Sequence, residues 1–233
     1  MAFAKAKAAQ GIVWKFHPQN ALAMDWDRRL CILPCKYKDQ VQWAYWLRVF
    51  MDHIALRNSI LPLHCAVVRK DDNTIFIFAP AGGGKSAITL ELGCIPGTGM
   101  TVCDDHCLIA ENHIQGNSFC RIRTFGQETY LPALGNADFI PRKTIAVQIS
   151  SGPEKIEKMS LSAFANSNFF QGASKYIEEE PIMYPANLDK LFGIELRSVN
   201  RPRVARFLSS LAGLYHLRGN IEFIANVIRE LQA

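Results

Sequence analysis

The sequence predicts a mixed α/β fold, in which a mixed sheet is flanked by helices. Residues 74–93, TIFIFAPAGGGKSAITLELG, pass from an apolar strand-like run through a glycine cluster into a helical pattern. Short apolar runs elsewhere alternate with turn residues, as where LHCAVVR (63–69) is followed by KDDNT. The final segment, NIEFIANVIREL, repeats its apolar residues at helical spacing after Asn220, a residue type that favours the N-cap.

The remaining elements follow from the same patterns. Two β-like runs precede a helix over 39–58 whose apolar residues occupy more than one face. The strand at 74–79 pairs as a hairpin with 63–69, and a helix covers about 85–92. Later come a short strand in GMTVCDD, a hairpin over 107–125 that turns near Asn117, a strand at 144–150, a helix that begins at 161, and a helix followed by a strand at 214–217.

Composition describes an ordinary globular chain. Its 233 residues, 49% hydrophobic, are enough for one core domain over 61–233 with an N-terminal strand and helix segment over 1–60 packed on it. The formal charge of +5 is scattered, which does not indicate nucleic acid as a partner. No apolar run reaches the roughly 18–20 residues of a membrane helix, the N-terminus does not resemble a secretory signal, and the seven cysteines are typical of reduced thiols. We therefore expect a cytoplasmic protein without a membrane partner.

Residues 79–86, Ala-Pro-Ala-Gly-Gly-Gly-Lys-Ser, match the phosphate-binding loop G-x-x-x-x-G-K-[ST], except that Ala79 replaces the first glycine. The replacement is tolerated if Ala79 keeps a negative φ, since only a positive φ makes glycine close to obligatory. In such a loop the lysine reaches the β- and γ-phosphates and the hydroxyl ligates Mg²⁺. The residues expected to contact the nucleotide are Ala81, Gly82, Gly83, Gly84, Lys85, Ser86 and Ala87.

Asp104 and Asp105 end a short strand about twenty residues after Ser86. Paired carboxylates that face a phosphate loop can hold Mg²⁺ and deprotonate an acceptor hydroxyl. Aspartates at such a junction can also simply cap the turn. His64 lies near the start of the strand over 63–69, and from its spacing alone we expect it to have a structural role.

A zinc site is the alternative for the neighbouring cysteines. Cys103, His106 and Cys107 could supply three ligands, but their spacing is not that of a zinc-knuckle CxxC. Cysteine is also a common buried small residue, so packing explains these positions more simply.

Taken together, LHCAVV, APAGGGKSAITLELG and VCDD resemble the catalytic domain of the HPr kinase/phosphorylase family. In that family a histidine opens a strand, a phosphate loop lies fifteen residues further on, and a later strand ends in Asp-Asp, as here. The resemblance covers about residues 60–231 and is specific in its first fifty. The rest is similar to shorter, kinase-only members, which include kinases of lasso-peptide precursors.

The resemblance implies a P-loop fold shared with phosphoenolpyruvate carboxykinase, and ATP- and Mg²⁺-dependent transfer of the γ-phosphate to a serine of a protein or precursor peptide. It makes Asp105 the general base and Asp104 its metal-directed neighbour. It assigns Lys85 to the phosphates, Ser86 to Mg²⁺ and His64 to the active site.

The sequence departs from the bifunctional members of the family in two respects. Their Glu-Ile-Arg-Gly-Leu-Gly signature, whose glutamate completes the metal site, is not found, and Glu128 in FGQETYLP is the best substitute ligand. Their large N-terminal domain is not found either, which disfavours HPr as substrate and disfavours phosphorylase activity. Family precedent suggests a homo-oligomer, with the 39–58 helix as a contact, although core packing explains that helix equally well.

Two other functions are consistent with the same residues. A nucleotide-binding regulatory module without transfer would explain Ala79 and the missing glutamate signature, but such a module has no need to keep Lys85, Ser86 and both aspartates. A hydrolase, or a carboxykinase-like or free-serine phosphotransferase, would act on a small molecule in a deep pocket rather than an open groove. We expect the kinase acting on a protein or peptide ahead of both.

Overall fold

The computed structural model describes nine stretches of the chain: residues 12–17, 20–25, 30–32, 55, 58–80, 82–92, 101–124, 127–167 and 196–231. The chain divides into two compact units. The first comprises Met1–Phe50 and Glu180–Glu195, and the second Met51–Glu179 and Leu196–Ala233. The expected boundary after residue 60 remains a prediction. The predicted helix over 39–58 lies almost entirely outside the described residues.

The described part of the first unit is a small antiparallel sheet. Its three strands, in spatial order, are β1 (Ile12–His17), β2 (Asn20–Asp25) and β3 (Leu30–Ile32). Strands β1 and β3 coincide with parts of the two β-like runs predicted near the N-terminus.

The described elements of the second unit are twelve strands and four α-helices. The strands are β4 (Leu61–Leu63), β5 (Ala66–Lys70), β6 (Asn73–Phe78), β7 (Thr101–Cys103), β8 (Cys107–Ala110), β9 (His113–Gly116), β10 (Phe119–Thr124), β11 (Gln127–Pro132), β12 (Asn136–Asp138), β13 (Thr144–Ser150), β14 (Lys155–Lys158) and β15 (Gly213–Arg218). The helices are α1 (Lys85–Glu91), α2 (Leu161–Asn166), α3 (Leu196–Ser210) and α4 (Ile221–Leu231).

A six-stranded mixed sheet is the centre of this unit, with strand order β14-β15-β13-β6-β5-β7. Strands β15, β13 and β6 run parallel to one another, whereas β14, β5 and β7 each pair antiparallel with their neighbours. A four-stranded antiparallel sheet (β12-β9-β8-β4) and the separate β10-β11 hairpin accompany it. The predicted mixed α/β class with a mixed sheet is confirmed.

Two sequence predictions about strands were wrong in detail. The single strand predicted over 63–69 is broken at His64 and Cys65, because β4 pairs with β8 in one sheet and β5 pairs with β6 in another. The hairpin predicted to turn near Asn117 turns instead between β8 and β9, where Glu111 adopts a φ of +54°. A glutamate rarely takes this left-handed conformation, so the turn residues Gly116 and Asn117 were the more obvious choice.

Alternation along β6 divides the core between the two faces of the large sheet. Phe76 and Phe78 point to a cluster shared with α2, α3 and the four-stranded sheet, whereas Ile75 and Ile77 face a cluster formed with α1 and α4. Each such side chain stabilises the fold by about 1.5–3 kcal/mol when fully buried. Helices therefore pack against both faces of the large sheet.

Local signals explain where the helices begin. The Asn220 side chain accepts a hydrogen bond of 2.8 Å from the Phe223 amide, which confirms its predicted N-cap role at α4. Ser160 caps α2 in the same way, through a 3.2 Å bond from the Ala163 amide. None of the described helices has the length and apolar character needed to cross a membrane.

Candidate functional site

The candidate site lies where several parallel strands of the large sheet end. Strand β5 is antiparallel to both β6 and β7, so β6 and β7 run in the same direction, which is also that of β13 and β15. The segments that follow these four strands therefore emerge at one edge of the sheet. In open α/β sheets, ligands bind at this carboxyl edge.

The glycine loop connects β6 to α1 at that edge. Gly82 and Gly84 have φ of +75° and +91°, a conformation that glycine adopts without steric cost. Gly83 is constrained differently, because a Cβ there would lie 2.8 Å from the Cβ of Ala79 and 3.0 Å from the carbonyl oxygen of Pro80. Ala79 itself is buried and lies outside the positive-φ region, so the condition for an alanine at this position is met.

Lys85 opens α1 and is buried. Its Nζ donates hydrogen bonds to the carbonyl oxygens of Ala79 and Pro80 at 3.0 and 3.3 Å. These contacts hold the ammonium group against the loop that the glycines shape. A buried cation beside backbone N–H groups that open a helix is suited to bind an anion.

Ser86, the next residue, joins the loop to the first aspartate. Its hydroxyl donates a 2.8 Å hydrogen bond to Oδ2 of Asp104, which follows β7. The contact joins two segments that lie on either side of β5 at the sheet edge. The sequence predicted that these two residues would work together, and the structure brings them into contact.

Asp104 is a buried carboxylate with limited compensation. Within the described residues its Oδ1 has no hydrogen bond of normal geometry, and the main-chain amide of Arg121 makes only the smallest contribution to its pKa. Burial raises the pKa of Asp104, the hydrogen bond from Ser86 lowers it, the negative charge of Asp105 raises it and the ammonium of Lys85 lowers it. A buried carboxylate oxygen without a donor is a suitable ligand for a hard cation.

Asp105 has a different environment from its neighbour. Its φ is +69°, and the amide of His106 donates a 2.9 Å bond to the Asp104 carbonyl, so Asp105 is the centre of a tight three-residue turn. This uncommon conformation costs energy, and the side chain that it carries is 48% exposed.

His64 occupies the break between β4 and β5 and faces Asp105. The imidazole is 3% exposed, and its Nε2 lies 2.8 Å from Oδ1 of Asp105. The break that sequence analysis missed is thus what places this histidine beside the carboxylate. An active-site role for His64 remains a prediction.

Two of the expected residues cannot be placed in the site. Ala81 lies outside the described residues, and the side chain of Glu128 does as well, although its backbone pairs with Arg123 across the β10-β11 hairpin. Glu128 as a metal ligand remains a prediction. Ala87 follows Ser86 in the first turn of α1, partly exposed.

The cysteines near the site form a buried thiol cluster. Sγ of Cys65 lies 3.3 Å from Sγ of Cys107, and a hydrogen bond with Cys107 together with burial raises the pKa of Cys103. Among the residues that the structure describes, no three or more His, Cys, Asp or Glu side chains are arranged to hold a metal ion. The alternative zinc site at Cys103, His106 and Cys107 therefore does not assemble, and these thiols pack in the core.

A groove that sequence analysis missed borders the glycine loop on the side away from the aspartates. It has a volume of about 510 Å³ and is lined by residues 83–84, Ile88, residues 149–151 and residues 219–222 together with Ile224. We call it the lateral groove. Its polar lining lies at the end of β13 and after β15. The SSG and GN turns in these two places were the sequence signal that could have indicated the groove.

Comparison with known proteins adds no assignment. No family model matches the chain, and no curated protein matches it.

Proposed function

We propose that the chain is an ATP- and Mg²⁺-dependent kinase that transfers the γ-phosphate to a serine hydroxyl of a protein or precursor peptide. We propose with it the P-loop fold of phosphoenolpyruvate carboxykinase and HPr kinase. The resemblance of LHCAVV, the glycine loop and VCDD to the HPr kinase family supports both proposals. One observation carries it: the Ser86 hydroxyl bonds to Asp104, so that a phosphate loop and an acidic pair form one site.

Lys85 and the loop backbone supply the phosphate-binding part. The ammonium group sits beside the loop, and the backbone N–H groups of a loop with this glycine pattern surround phosphate oxygens. The ammonium group of Lys85 is buried, so the local dielectric is low and its attraction to negatively charged phosphates is stronger than it would be in water. This arrangement would fix the β- and γ-phosphates.

Asp104 and Ser86 fit Mg²⁺ by the chemistry of their donors. Mg²⁺ prefers oxygen ligands and is commonly held by one or two carboxylates together with substrate phosphates, which a hydroxyl and a carboxylate in hydrogen-bond contact can match. The buried Oδ1 of Asp104 is an oxygen of this kind. When bound, Mg²⁺ neutralises charge on the phosphates.

Asp105 is the general base in this proposal. It takes the proton from the serine hydroxyl while the serine oxygen forms a bond to the γ-phosphorus and the bond from that phosphorus to the β–γ bridging oxygen breaks. His64 holds the carboxylate through its 2.8 Å contact and acts as a positioning residue. ADP leaves with the electron pair of the broken bond.

The exposure of Asp105 favours a macromolecular acceptor. A base that is 48% exposed is accessible to a serine on a flexible segment of a protein or peptide. A kinase for a free metabolite would instead enclose its acceptor in a deep pocket.

The acceptor assay tests this function directly. Purified protein would be incubated with γ-labelled ATP, Mg²⁺ and a panel of acceptors: serine peptides, precursor peptides, HPr and free serine. We expect label on a serine of one peptide or protein acceptor, lost in Asp105→Asn. Asp71→Asn is the matched control, because Asp71 also has a positive φ (+53°) but lies in an exposed turn. Label on free serine would favour the small-molecule alternative, and nucleotide binding without any transfer would favour the regulatory module.

A further inference from the structure

The lateral groove lies beside the glycine loop, on the opposite side from the acidic pair. In the sheet, β13 and β15 lie on one side of β6, while β5 and β7 lie on the other. Asp104 and Asp105 follow β7, whereas residues 149–151 of the groove are the end of β13 and the residue after it, and residues 219–222 follow β15. A ligand with phosphates over the loop therefore has room to extend away from the aspartates.

The groove is built for an uncharged, partly apolar group. Ile88, Ile149 and Ile224 form its buried lining, and Ile221 is 45% exposed at its rim. Of the described residues that line it, none is basic and Glu222 alone is charged, so the groove disfavours phosphate. Its volume of about 510 Å³ lies within the roughly 300–1,000 Å³ typical of ligand sites.

Polar groups at the groove are held in place. The Ser150 hydroxyl is in hydrogen-bond contact with Nε2 of His216 at 2.9 Å, and the Asn220 side chain is fixed by its bond from the Phe223 amide. Glu222 is exposed in the first turn of α4. A carboxylate beside a bound nucleotide can accept hydrogen bonds from ribose hydroxyls, as in dinucleotide-binding folds.

We infer that the lateral groove is the nucleoside subsite: it takes the base and ribose of the nucleotide, while the glycine loop takes the phosphates. The inference rests on the proposed function in requiring phosphates at the loop. It assigns nucleotide recognition to a part of the chain, residues 149–151 and 219–224, that lies far in sequence from the phosphate-loop motif.

The test compares two ligands that share phosphates and differ in the nucleoside. Affinities for a non-hydrolysable ATP analogue and for inorganic tripolyphosphate would be measured with Mg²⁺ by calorimetry. Ser151→Trp fills the groove from an exposed position, and Ser209→Trp is the same change at an exposed site on α3. Ile221→Ala removes apolar surface at the rim, with Ile156→Ala, 50% exposed on β14, as its control.

We expect Ser151→Trp to weaken the ATP analogue at least about tenfold and Ile221→Ala to weaken it about threefold, with tripolyphosphate changed less than about twofold in both. The two controls should match the wild type. If the wild type binds both ligands but neither groove variant affects the analogue, or if both ligands weaken equally, the subsite assignment is wrong and the proposed function stands. If the wild type binds neither ligand, both proposals fail.

Discussion

Nε2 of His64 lies 2.8 Å from Oδ1 of Asp105, although the two residues are far apart in sequence. His64 lies between β4 and β5 and Asp105 between β7 and β8, so both occupy segments that connect the four-stranded sheet to the six-stranded sheet. The buried imidazole is a rigid support for a carboxylate that sits on an uncommon backbone conformation. This relationship separates the two aspartates by role. Asp104 is buried and accepts a hydrogen bond from Ser86, whereas Asp105 is about half exposed and contacts the buried imidazole of His64.

Replacing the support should impair transfer more than nucleotide binding. We expect His64→Gln to lower kcat by about 10- to 100-fold, because misplacing a catalytic group by an ångström costs about that much, and to leave KM for ATP nearly unchanged. Steady-state kinetics with a labelled acceptor would measure both constants. His113→Gln is the control, because His113 contacts Asp138 at 2.8 Å on an exposed surface away from the loop. Equal loss in both variants would argue against the positioning role.

The buried carboxylate of Asp104 should lower the stability of the fold although transfer requires it. Burial raises its pKa, so the folded protein binds this proton more tightly than the unfolded chain. Its favourable contribution is therefore fully present below the ordinary aspartate pKa and is lost as the pH rises through the raised value. We expect Asp104→Asn to abolish transfer but to raise Tm at pH 8, because it removes the cost of burying a negative charge. The increase should be about 2–4 °C for each kcal/mol by which the free energy of unfolding rises.

The stability gain should also depend on pH. As the pH falls through the raised pKa of Asp104, this carboxyl becomes protonated in the wild type, and the difference in Tm between the two proteins should shrink. Thermal unfolding at several pH values would show this trend. A gain in Tm that grows at low pH, or a Tm for Asp104→Asn that is lower at pH 8, would contradict the burial argument.

Gly83 should resist replacement because of crowding, not because of its backbone conformation. Gly83→Ala places a Cβ 2.8 Å from that of Ala79 and 3.0 Å from the Pro80 carbonyl oxygen, and overpacking of this kind costs about 1–3 kcal/mol. We expect nucleotide affinity to fall about tenfold. Adding Ala79→Gly removes the closest of these contacts, so the double variant should recover part of the loss, and Ala79→Gly alone should bind like the wild type. No recovery in the double variant would show that the Ala79 contact is not the cause.

Lys85 should contribute affinity through charge. Lys85→Met keeps a long side chain but removes the buried ammonium group, which lies against the Ala79 and Pro80 carbonyl oxygens and would attract the phosphates. A hydrogen bond from a charged donor is worth about 1.5–3 kcal/mol. Affinity for an ATP analogue should fall about 10- to 100-fold, and affinity for tripolyphosphate should fall as much. Lys155→Met, at an exposed lysine paired with Glu157, is the control. An unchanged affinity in Lys85→Met would contradict the claim that Lys85 and the glycine loop bind the nucleotide phosphates.

Sequence patterns were sufficient where the interactions are local. The glycine loop, α1 and the Asn220 cap each depend on residues within a few positions of one another, and their elements match the prediction. The break at His64 and Cys65 could not be predicted, because LHCAVVR has the pattern of a single strand and only pairing with two different sheets interrupts it.

The candidate site was predictable in part for the same reason. Residue types identified Lys85, Ser86 and the aspartates, but their contacts join segments that are distant in sequence and depend on sheet order. The lateral groove was missed because Ser150 and Ser151 carry no motif, and their position beside the loop follows only from the pairing of β13 with β6.

The central claim is that Asp105 removes the proton in a site where Lys85, Ser86 and Asp104 hold the nucleotide. The most direct test measures ATP-analogue affinity and single-turnover transfer to a labelled acceptor on one preparation of Asp105→Asn. The account predicts an affinity within about twofold of the wild type and transfer slower by about 10²–10⁴-fold. Transfer at the wild-type rate, or affinity that falls in parallel with transfer, would contradict it.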